Sequence, residues 1–162
     1  MVIRKATISD IPQILSIYNY EVLNSTSTFD IRPKSTEDFL KIFDRHGPKN
    51  PIYVVENNSK LIIGYGYLSP FSEKEGYSLT VEDSLYIHYL YRGRGIGKML
   101  LKFLIEKAKE DQIKNIIAKI CAENQPSLNL HKSLGFTEVG MLKHVGYKFG
   151  RYLSIIILHL TL

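Results

Sequence analysis

Cysteine and tryptophan are almost missing from this chain. Its 162 residues contain one cysteine, Cys121, and no tryptophan. A single thiol excludes an internal disulfide framework and cannot by itself form a zinc site. The neighbouring residues Ile116, Ile117, Ala118 and Ile120 indicate a buried strand. We therefore expect Cys121 to pack in the core rather than to act as a reactive thiol, and we expect no metal site.

Long apolar runs and dense basic segments are also missing. No run approaches membrane-spanning length, and the start Met1-Val2-Ile3-Arg4-Lys5 has no long apolar core behind it. The sequence therefore predicts a cytoplasmic protein without a membrane partner. The formal net charge is +5, but the lysines and arginines are scattered, with no basic helix and no zinc-finger spacing. We expect no nucleic-acid partner, whereas a modest positive charge suits a polyphosphate ligand.

The most informative stretch is a glycine-rich, basic loop. It reads Arg92-Gly93-Arg94-Gly95-Ile96-Gly97-Lys98 and lies between a strand-like and a helix-like segment. Glycines let the backbone N–H groups approach a ligand, and the helix that follows offers unpaired N–H groups to an anion. The loop therefore predicts a phosphate cradle, the alternative being a basic surface turn. Its spacing fits neither a Walker A loop nor a dinucleotide fingerprint.

Hydrophobic periodicity and turn residues predict the remaining elements. Strands are expected at about 2–6, 52–56, 61–68, 77–87, 115–121, 136–142 and 152–162, and helices at about 10–23, 35–46, 99–109 and 126–135. No repeat or interdomain linker is visible, so residues 1–162 are expected to form one domain. This order predicts an α/β fold whose sheet has mixed strand direction and helices on both faces.

Several motifs in the second half of the chain match one family in order and spacing. Thr80-Val81-Glu82 precedes the glycine loop, and Asn124-Gln125-Pro126-Ser127 follows it, with His131 and Gly135-Phe136 further on. With these motifs the chain resembles the Gcn5-related N-acetyltransferases (GNAT), and in particular the phosphinothricin and methionine sulfone acetyltransferase subgroup. His131 stands where the superfamily usually has a tyrosine. The resemblance covers nearly the whole chain and implies a twisted, mostly antiparallel sheet.

The resemblance also implies acetyl-CoA as co-substrate. Main-chain groups along one strand would hold the pantetheine arm, and the loop and the next helix would hold the phosphates. The residues it implies are Leu85, Tyr86, Ile87, Arg92, Gly93, Arg94, Gly95, Ile96, Gly97, Lys98, Asn124 and Ser127.

Two residues are candidates for proton transfer. An ammonium must lose a proton before its nitrogen can attack a thioester, and a carboxylate beside the thioester can take that proton. The resemblance implies this role for Glu82, whose plainer interpretation is an exposed strand residue paired with a lysine. His131 is expected to protonate the departing CoA thiolate or to assist the base through water. Its plainer interpretation is a structural hydrogen bond.

The resemblance implies that the acceptor is a small-molecule amine resembling an amino acid. The candidate substrate-binding residues are Tyr18, Asn19, Lys74, Tyr77 and Thr80. The chain departs from the subgroup near this site. Phe71 and Tyr152 replace tryptophans that are common there, and Ser72 stands where an arginine or lysine is common, a charge that Lys74 would supply.

The sequence is also compatible with two rival functions. One is acetylation of a peptide N-terminus or a polyamine, and the other is a CoA-binding regulatory domain without catalysis. The apolar run Ile155-Ile156-Ile157-Leu158 suggests a homodimer contact, the alternative being burial inside one sheet.

Overall fold

The computed structural model describes all residues, 1–162, as a seven-stranded sheet with four α-helices. The elements are β1 (Val2–Lys5), α1 (Ile11–Asn24), α2 (Thr36–His46), β2 (Tyr53–Glu56), β3 (Ile62–Pro70), β4 (Thr80–Ile87), α3 (Ile96–Glu110), β5 (Asn115–Cys121), α4 (Gln125–Lys132), β6 (Thr137–Lys148) and β7 (Arg151–Thr161). The predicted α/β class, with a sheet of mixed direction, is confirmed.

The sheet has the strand order β1-β2-β3-β4-β5-β7-β6. All neighbouring strands run antiparallel except β4 and β5, which are parallel. This parallel pair is short, running from Thr80 opposite Asn115 to Glu82 opposite Ile117. Beyond Glu82 the two strands part, although β4 continues to pair with β3 on its other side as far as Ile87. The sheet therefore opens into a cleft at its centre.

Two apolar cores cover the two faces of the sheet. Helices α1 and α2 bury Ile14 and Phe39 against Tyr65 of β3 on one face. Helices α3 and α4 bury Leu101 and Leu128 against β4, β5 and β7 on the other. Since successive strand residues point to opposite faces, the residues of β4 divide between the two cores, a division that matters for the site.

Helix ends follow the local sequence signals. Ser35 caps α2, its Oγ accepting from the Asp38 N–H at 3.1 Å while the Asp38 carboxylate accepts from the Ser35 N–H. The capping box predicted at these residues is therefore confirmed. None of the four α-helices combines the length and the apolar character needed to cross a membrane.

Two of the predicted strand boundaries are wrong by three residues or more. The strand expected from residue 77 begins only at Thr80, because Glu75–Tyr77 forms a 3-10 turn. The strand expected to end at residue 142 continues to Lys148 and pairs with β7. Phe149 and Gly150 join these two strands in a two-residue turn with φ of 53° and 74°, the positive angles that a tight hairpin turn requires.

The run Ile155-Ile156-Ile157-Leu158 lies in β7, between β5 and β6. Ile156 and Leu158 are buried. The position of this run therefore fits burial inside one sheet, the alternative to a homodimer contact.

Candidate active site

The glycine loop forms an open cradle at the start of α3. Gly95, the N-cap residue of α3, has φ of 78°, and Gly93 has φ of 74°. A Cβ at either glycine would meet no atom within 4 Å, so both backbones face open space. A cavity of about 240 Å³ lies beside the loop. The unpaired N–H groups of the first turn of α3 suit a pyrophosphate here, so the loop fits the phosphates of CoA.

The free edge of β4 lies next to this cradle. Because β5 leaves β4 after Glu82, the backbone of β4 from Asp83 onward has no strand partner on that side. Leu85 and Ile87 of this stretch border the same cavity as the loop. An extended pantetheine arm can pair with such an edge as an added strand would. The structure thus brings together the strand and loop residues that the resemblance implies.

The three cations of the loop differ in their contacts. The Arg92 guanidinium donates to the carboxylate of Glu21, a buried residue of α1, and its Nε donates to the Ile87 carbonyl at 3.3 Å. The Arg94 guanidinium lies over the Tyr91 ring, 5.1 Å from its centroid. Arg94 and Lys98 are exposed beside the cradle. Arg92 therefore ties the loop to α1, whereas Arg94 and Lys98 face solvent.

Asn124 and Ser127 lie across the cleft at the start of α4. The Asn124 Oδ1 accepts from the Ser127 N–H at 3.2 Å, and its Nδ2 donates to the Ser27 hydroxyl at 3.4 Å. Asn124 thus caps the helix and links it to the segment after α1. Both Asn124 and Ser127 border the cavity beside the glycine loop.

Glu82 lies at the last paired position of β4, where the strands part. Its Oε2 is 2.8 Å from Nζ of Lys119 on β5, and its side chain is 27% exposed. The lysine partner of the plainer interpretation is thus present. Glu82 is also half-buried, however, and lies beside the cleft. Lys119 is a residue that the sequence did not single out, because nothing in its local pattern indicates a partner 37 residues away.

His131 is buried on the other side of β4. Its Nε2 is 3.0 Å from Oδ2 of Asp83, and both side chains are 2% exposed. Its Nδ1 lies 2.7 Å from the Ser127 carbonyl oxygen and 3.4 Å from the Ser127 hydroxyl. Burial lowers the pKa of His131, but the hydrogen bond and charge of Asp83 outweigh it, so the net shift is upward. No local sequence signal points to Asp83.

Glu82 and His131 therefore occupy opposite faces. Val81 and Leu85, which share a side of β4 with Asp83, pack in the core beneath α3 and α4. Tyr86, which shares a side with Glu82, packs in the core beneath α1 and α2. The cleft between β4 and β5 joins the two sides.

The candidate acceptor residues on α1 are both engaged. The hydroxyl of Tyr18 bonds to Thr28 at 3.0 Å and donates to the Asp30 carboxylate, and burial raises the pKa of Tyr18. Asn19 uses both amide atoms on the backbone of Lys34, donating at 3.0 Å and accepting at 2.9 Å. Tyr18 and Asn19 thus fix the segment that follows α1.

The remaining acceptor candidates lie at the other end of β4. Lys74 and Tyr77 are exposed in and beside the 3-10 turn, and Thr80 is half-buried at the start of the strand. The Tyr77 ring packs edge-on against Phe71, with 5.4 Å between centroids. Lys119 Nζ lies 5.8 Å from the centroid of the same Phe71 ring. Lys119 therefore connects this segment with Glu82.

A buried lysine closes the segment after α1. Nζ of Lys148, at the end of β6, donates to the carbonyls of Ser25 and Thr28, both at 2.8 Å. Burial lowers the pKa of Lys148. At the neighbouring Gly146, a Cβ would lie 2.3 Å from the ring of Phe29. The hairpin β6–β7 thus holds the segment 25–29 against α1, and no local sequence signal points to this contact.

A strand cleft with a glycine cradle at a helix start is an arrangement that suits an acyl-CoA transferase. The acetyltransferase (GNAT) domain family matches residues 3–157, and this chain belongs to that family. It is an N-acetyltransferase whose co-substrate is acetyl-CoA, as the resemblance implied.

Proteins similar to this chain are named for several different acceptors. The L-methionine sulfoximine/L-methionine sulfone acetyltransferase of Pseudomonas paraeruginosa is 35% identical, over 99% of this chain and 94% of that protein. The crystal structure of a phosphinothricin acetyltransferase from Sinorhizobium meliloti with acetyl-CoA has a TM-score of 0.95 and 33% identity, covering 99% and 88% of the two chains. That of a ribosomal-protein-alanine N-acetyltransferase from Brucella melitensis has a TM-score of 0.96 and 37% identity, covering both chains fully.

Proposed function

We propose that residues 1–162 form one N-acetyltransferase domain that acetylates the amino group of a small amino-acid-like molecule. Methionine sulfone, methionine sulfoximine and phosphinothricin are the acceptors that we would test first, since similar proteins are named for them. The observation that carries the proposal is the position of Glu82. This half-buried carboxylate lies where β4 and β5 part, on the α1 side of the strand.

In this mechanism acetyl-CoA supplies an acetyl group activated as a thioester. The glycine cradle and the free edge of β4 orient that group within the cleft. Glu82 takes a proton from the acceptor ammonium, directly or through water, so that the nitrogen lone pair is free to attack. His131, on the opposite side of β4, is the source of the proton that the departing sulfur takes up. The route needs no covalent enzyme intermediate, in keeping with the burial of Cys121 in β5.

The residues around Glu82 suggest how an amino acid would be held. Lys119 is 43% exposed and lies between the Glu82 carboxylate and the Phe71 ring. Lys74 is exposed at the adjacent turn. We infer that these ammonium groups face the carboxylate of the acceptor, while Phe71 and Tyr77 contact its tail and Thr80 and Tyr18 line the approach. A charged substrate carboxylate is well matched to a lysine at such a partly exposed position.

The test is acetyl-CoA-dependent release of free thiol with a panel of acceptors. The panel contains methionine sulfone, methionine sulfoximine, phosphinothricin, the common amino acids, polyamines and short peptides, with Glu82→Gln as the comparison variant. We expect turnover with the amino-acid analogues and its loss in the variant. Acetyl-CoA binding without transfer to any amine would instead support a regulatory CoA-binding domain.

A second candidate acceptor is a peptide N-terminus. The observation that favours it is the 37% identity to a protein named for ribosomal-protein alanine. Transfer to peptides with an N-terminal alanine, together with inactivity on free amino acids, would favour this candidate over the first.

We propose in addition that the protein is a cytoplasmic homodimer. Acetyl-CoA is made and used inside cells, which supports the location. Strand β6 is a sheet edge, and the β6–β7 hairpin exposes several large apolar side chains, among them Met141, Leu142 and Tyr152. Such an edge can pair with that of a second copy around a two-fold axis. Light scattering of wild type and Met141→Glu tests this, since a monomer in both would exclude the dimer.

A further inference from the structure

Asp83 and His131 form a buried pair, and the mechanism above gives Asp83 no role. The pair borders a cavity of about 80 Å³ between β4 and β5, just beyond their last paired residues. The other titratable side chains around this cavity are Tyr86, Lys119 and Cys121. The two side chains of the pair come from β4 and α4, 48 residues apart, and each is 2% exposed.

Hydrogen-bond geometry decides how many protons the pair holds. The Ser127 carbonyl, 2.7 Å from Nδ1 of His131, can only accept, so Nδ1 carries a proton. Asp83 Oδ2 lies 3.0 Å from Nε2. If the ring were neutral, with its proton on Nδ1, the lone pair of Nε2 would face a lone pair of the ionised Asp83 carboxylate. One further proton must therefore lie between His131 and Asp83.

With that proton on the ring, His131 and Asp83 form an ion pair through Nε2 and Oδ2, and the other oxygen of Asp83, Oδ1, is buried without a hydrogen-bond partner. The hydrogen bond and charge of Asp83 raise the pKa of His131 in spite of its burial. Among the other groups at the cavity, Lys119 is bound to Glu82 on the opposite side of β4, and burial raises the pKa of Tyr86 well above its usual value. Cys121 makes no hydrogen bond with His131. Asp83 thus supplies the only negative charge in contact with the ring.

We propose that Asp83 is a positioning residue for acetyl transfer. Together with the Ser127 carbonyl it keeps both nitrogens of His131 protonated, so that the ring holds a proton for the sulfur of CoA. The Ser127 hydroxyl, 3.4 Å from Nδ1, borders both this cavity and the cavity beside the glycine loop, and it connects the ring to the cleft. The inference rests on the proposed function of the site.

The protons balance in this scheme. The acceptor nitrogen forms a bond to the acetyl carbon, the carbon–sulfur bond breaks, and the sulfur leaves with the electron pair. Glu82 takes one proton from the acceptor ammonium before the attack and passes it to solvent, and it takes the second proton when the nitrogen bonds to the acetyl carbon. The Ser127 hydroxyl gives its proton to the sulfur and is reprotonated from Nδ1 of His131. Solvent then returns a proton to the ring and accepts the proton held by Glu82.

Nitrogen-15 NMR of the imidazole rings in the ligand-free protein tests the first part. The variant His131→Gln identifies the signals of His131 among those of the five histidines. We expect both nitrogens to show the protonated form, and we expect Asp83→Asn to convert the ring to a neutral form protonated on Nδ1. A neutral His131 ring in the wild-type protein at about pH 7 would overturn the proposal, whatever its activity.

Kinetics test the second part. Asp83→Asn is expected to lower kcat by about 10-fold to 100-fold and to leave the dissociation constant of acetyl-CoA within about threefold. It should also move the alkaline limb of the kcat profile to lower pH. The control is Glu138→Gln, which removes an exposed carboxylate paired with Lys132, the residue after His131. An unchanged kcat and alkaline limb in Asp83→Asn would overturn the role of Asp83.

Ser127→Ala removes the hydroxyl but keeps the carbonyl. It is expected to lower kcat without changing the NMR signals of His131, and an unchanged kcat would exclude Ser127 from the route. Failure of the proposed function and failure of this inference would give different results. If the proposed function is wrong, no acceptor is acetylated but the NMR result stands. If the inference is wrong, acetyl transfer proceeds while the ring of His131 is neutral.

Discussion

Lys119 and Glu82 form an ion pair across the point where β4 and β5 part, with Nζ 2.8 Å from Oε2. The pair joins two strands that are no longer hydrogen-bonded to each other at Lys119, since their pairing ends at Ile117. The ammonium group therefore fixes the direction of the carboxylate at the mouth of the cleft. A base must lie within reach of the proton that it abstracts, so its orientation contributes to the rate.

We predict that Glu82→Gln lowers kcat by at least about 100-fold while acetyl-CoA binds normally. Lys119→Met should lower it by about 10-fold, because the carboxylate remains but loses its orientation. In a double-mutant cycle the two changes together should cost no more than Glu82→Gln alone. Steady-state kinetics with Lys132→Met as the surface-lysine control measure this. Full additivity would show that Lys119 acts on something other than Glu82.

The glycine loop allows a matched comparison of two positive-φ glycines. Gly95 and Gly150 have φ of 78° and 74°, and neither has an atom within 4 Å of a Cβ position. Alanine at either site should cost about 1 to 2 kcal/mol of stability for the left-handed backbone. Only Gly95→Ala adds a methyl group at the phosphate cradle, and we expect it to weaken acetyl-CoA binding by 10-fold or more, about 1.4 kcal/mol. Equal affinities in calorimetry would place the pyrophosphate elsewhere.

Alanine substitutions of the two loop arginines are expected to affect different properties, stability in one case and acetyl-CoA binding in the other. Arg92→Ala leaves the buried carboxylate of Glu21 with one side-chain partner, the Ser25 hydroxyl, and should destabilise the fold by about 1 to 3 kcal/mol. Arg94 is exposed, so Arg94→Ala should change stability by less than about 0.5 kcal/mol and weaken acetyl-CoA binding several-fold. Urea unfolding and calorimetry on both variants separate the two effects. Equal stability losses would contradict the assignment of Arg92 to the fold.

These contacts show where sequence reasoning succeeds and where it stops. Periodicity and turn residues predicted the fold class, and the order Arg-Gly-x-Gly-x-Gly pointed to the cradle, because both are local signals. The pairs that tune the site are not local. Arg92 meets Glu21 across 71 residues and His131 meets Asp83 across 48, so only the folded chain brings them together. The prediction that a strand begins at Tyr77 was wrong because the chain forms a 3-10 turn there in spite of the aromatic pattern.

Lys148 is predicted to support the acceptor side of the cleft from a distance. Lys148→Met keeps most of the side-chain volume but removes the donor to the carbonyls of Ser25 and Thr28. Leaving these carbonyls without their partner should cost about 1 to 3 kcal/mol. Because Ser27 borders the cavity between β4 and β5, we also expect a higher KM for the acceptor and an unchanged affinity for acetyl-CoA. The exposed Lys143 serves as control in Lys143→Met, and a normal acceptor KM in Lys148→Met would refute the link.

The Asp83–His131 pair should make stability depend on pH in a defined direction. The pKa of His131 is raised in the folded protein, so folding favours the protonated ring. Its contribution is fully present below the unfolded value, about 6.5, and is lost as the pH rises through the folded pKa. We therefore expect the difference in unfolding free energy between wild type and Asp83→Asn to be largest near pH 6, at roughly 2 kcal/mol, and to shrink on the alkaline side. Urea unfolding at a series of pH values, with Glu138→Gln as control, measures it. A difference that grows with pH would mean that the folded protein holds His131 neutral.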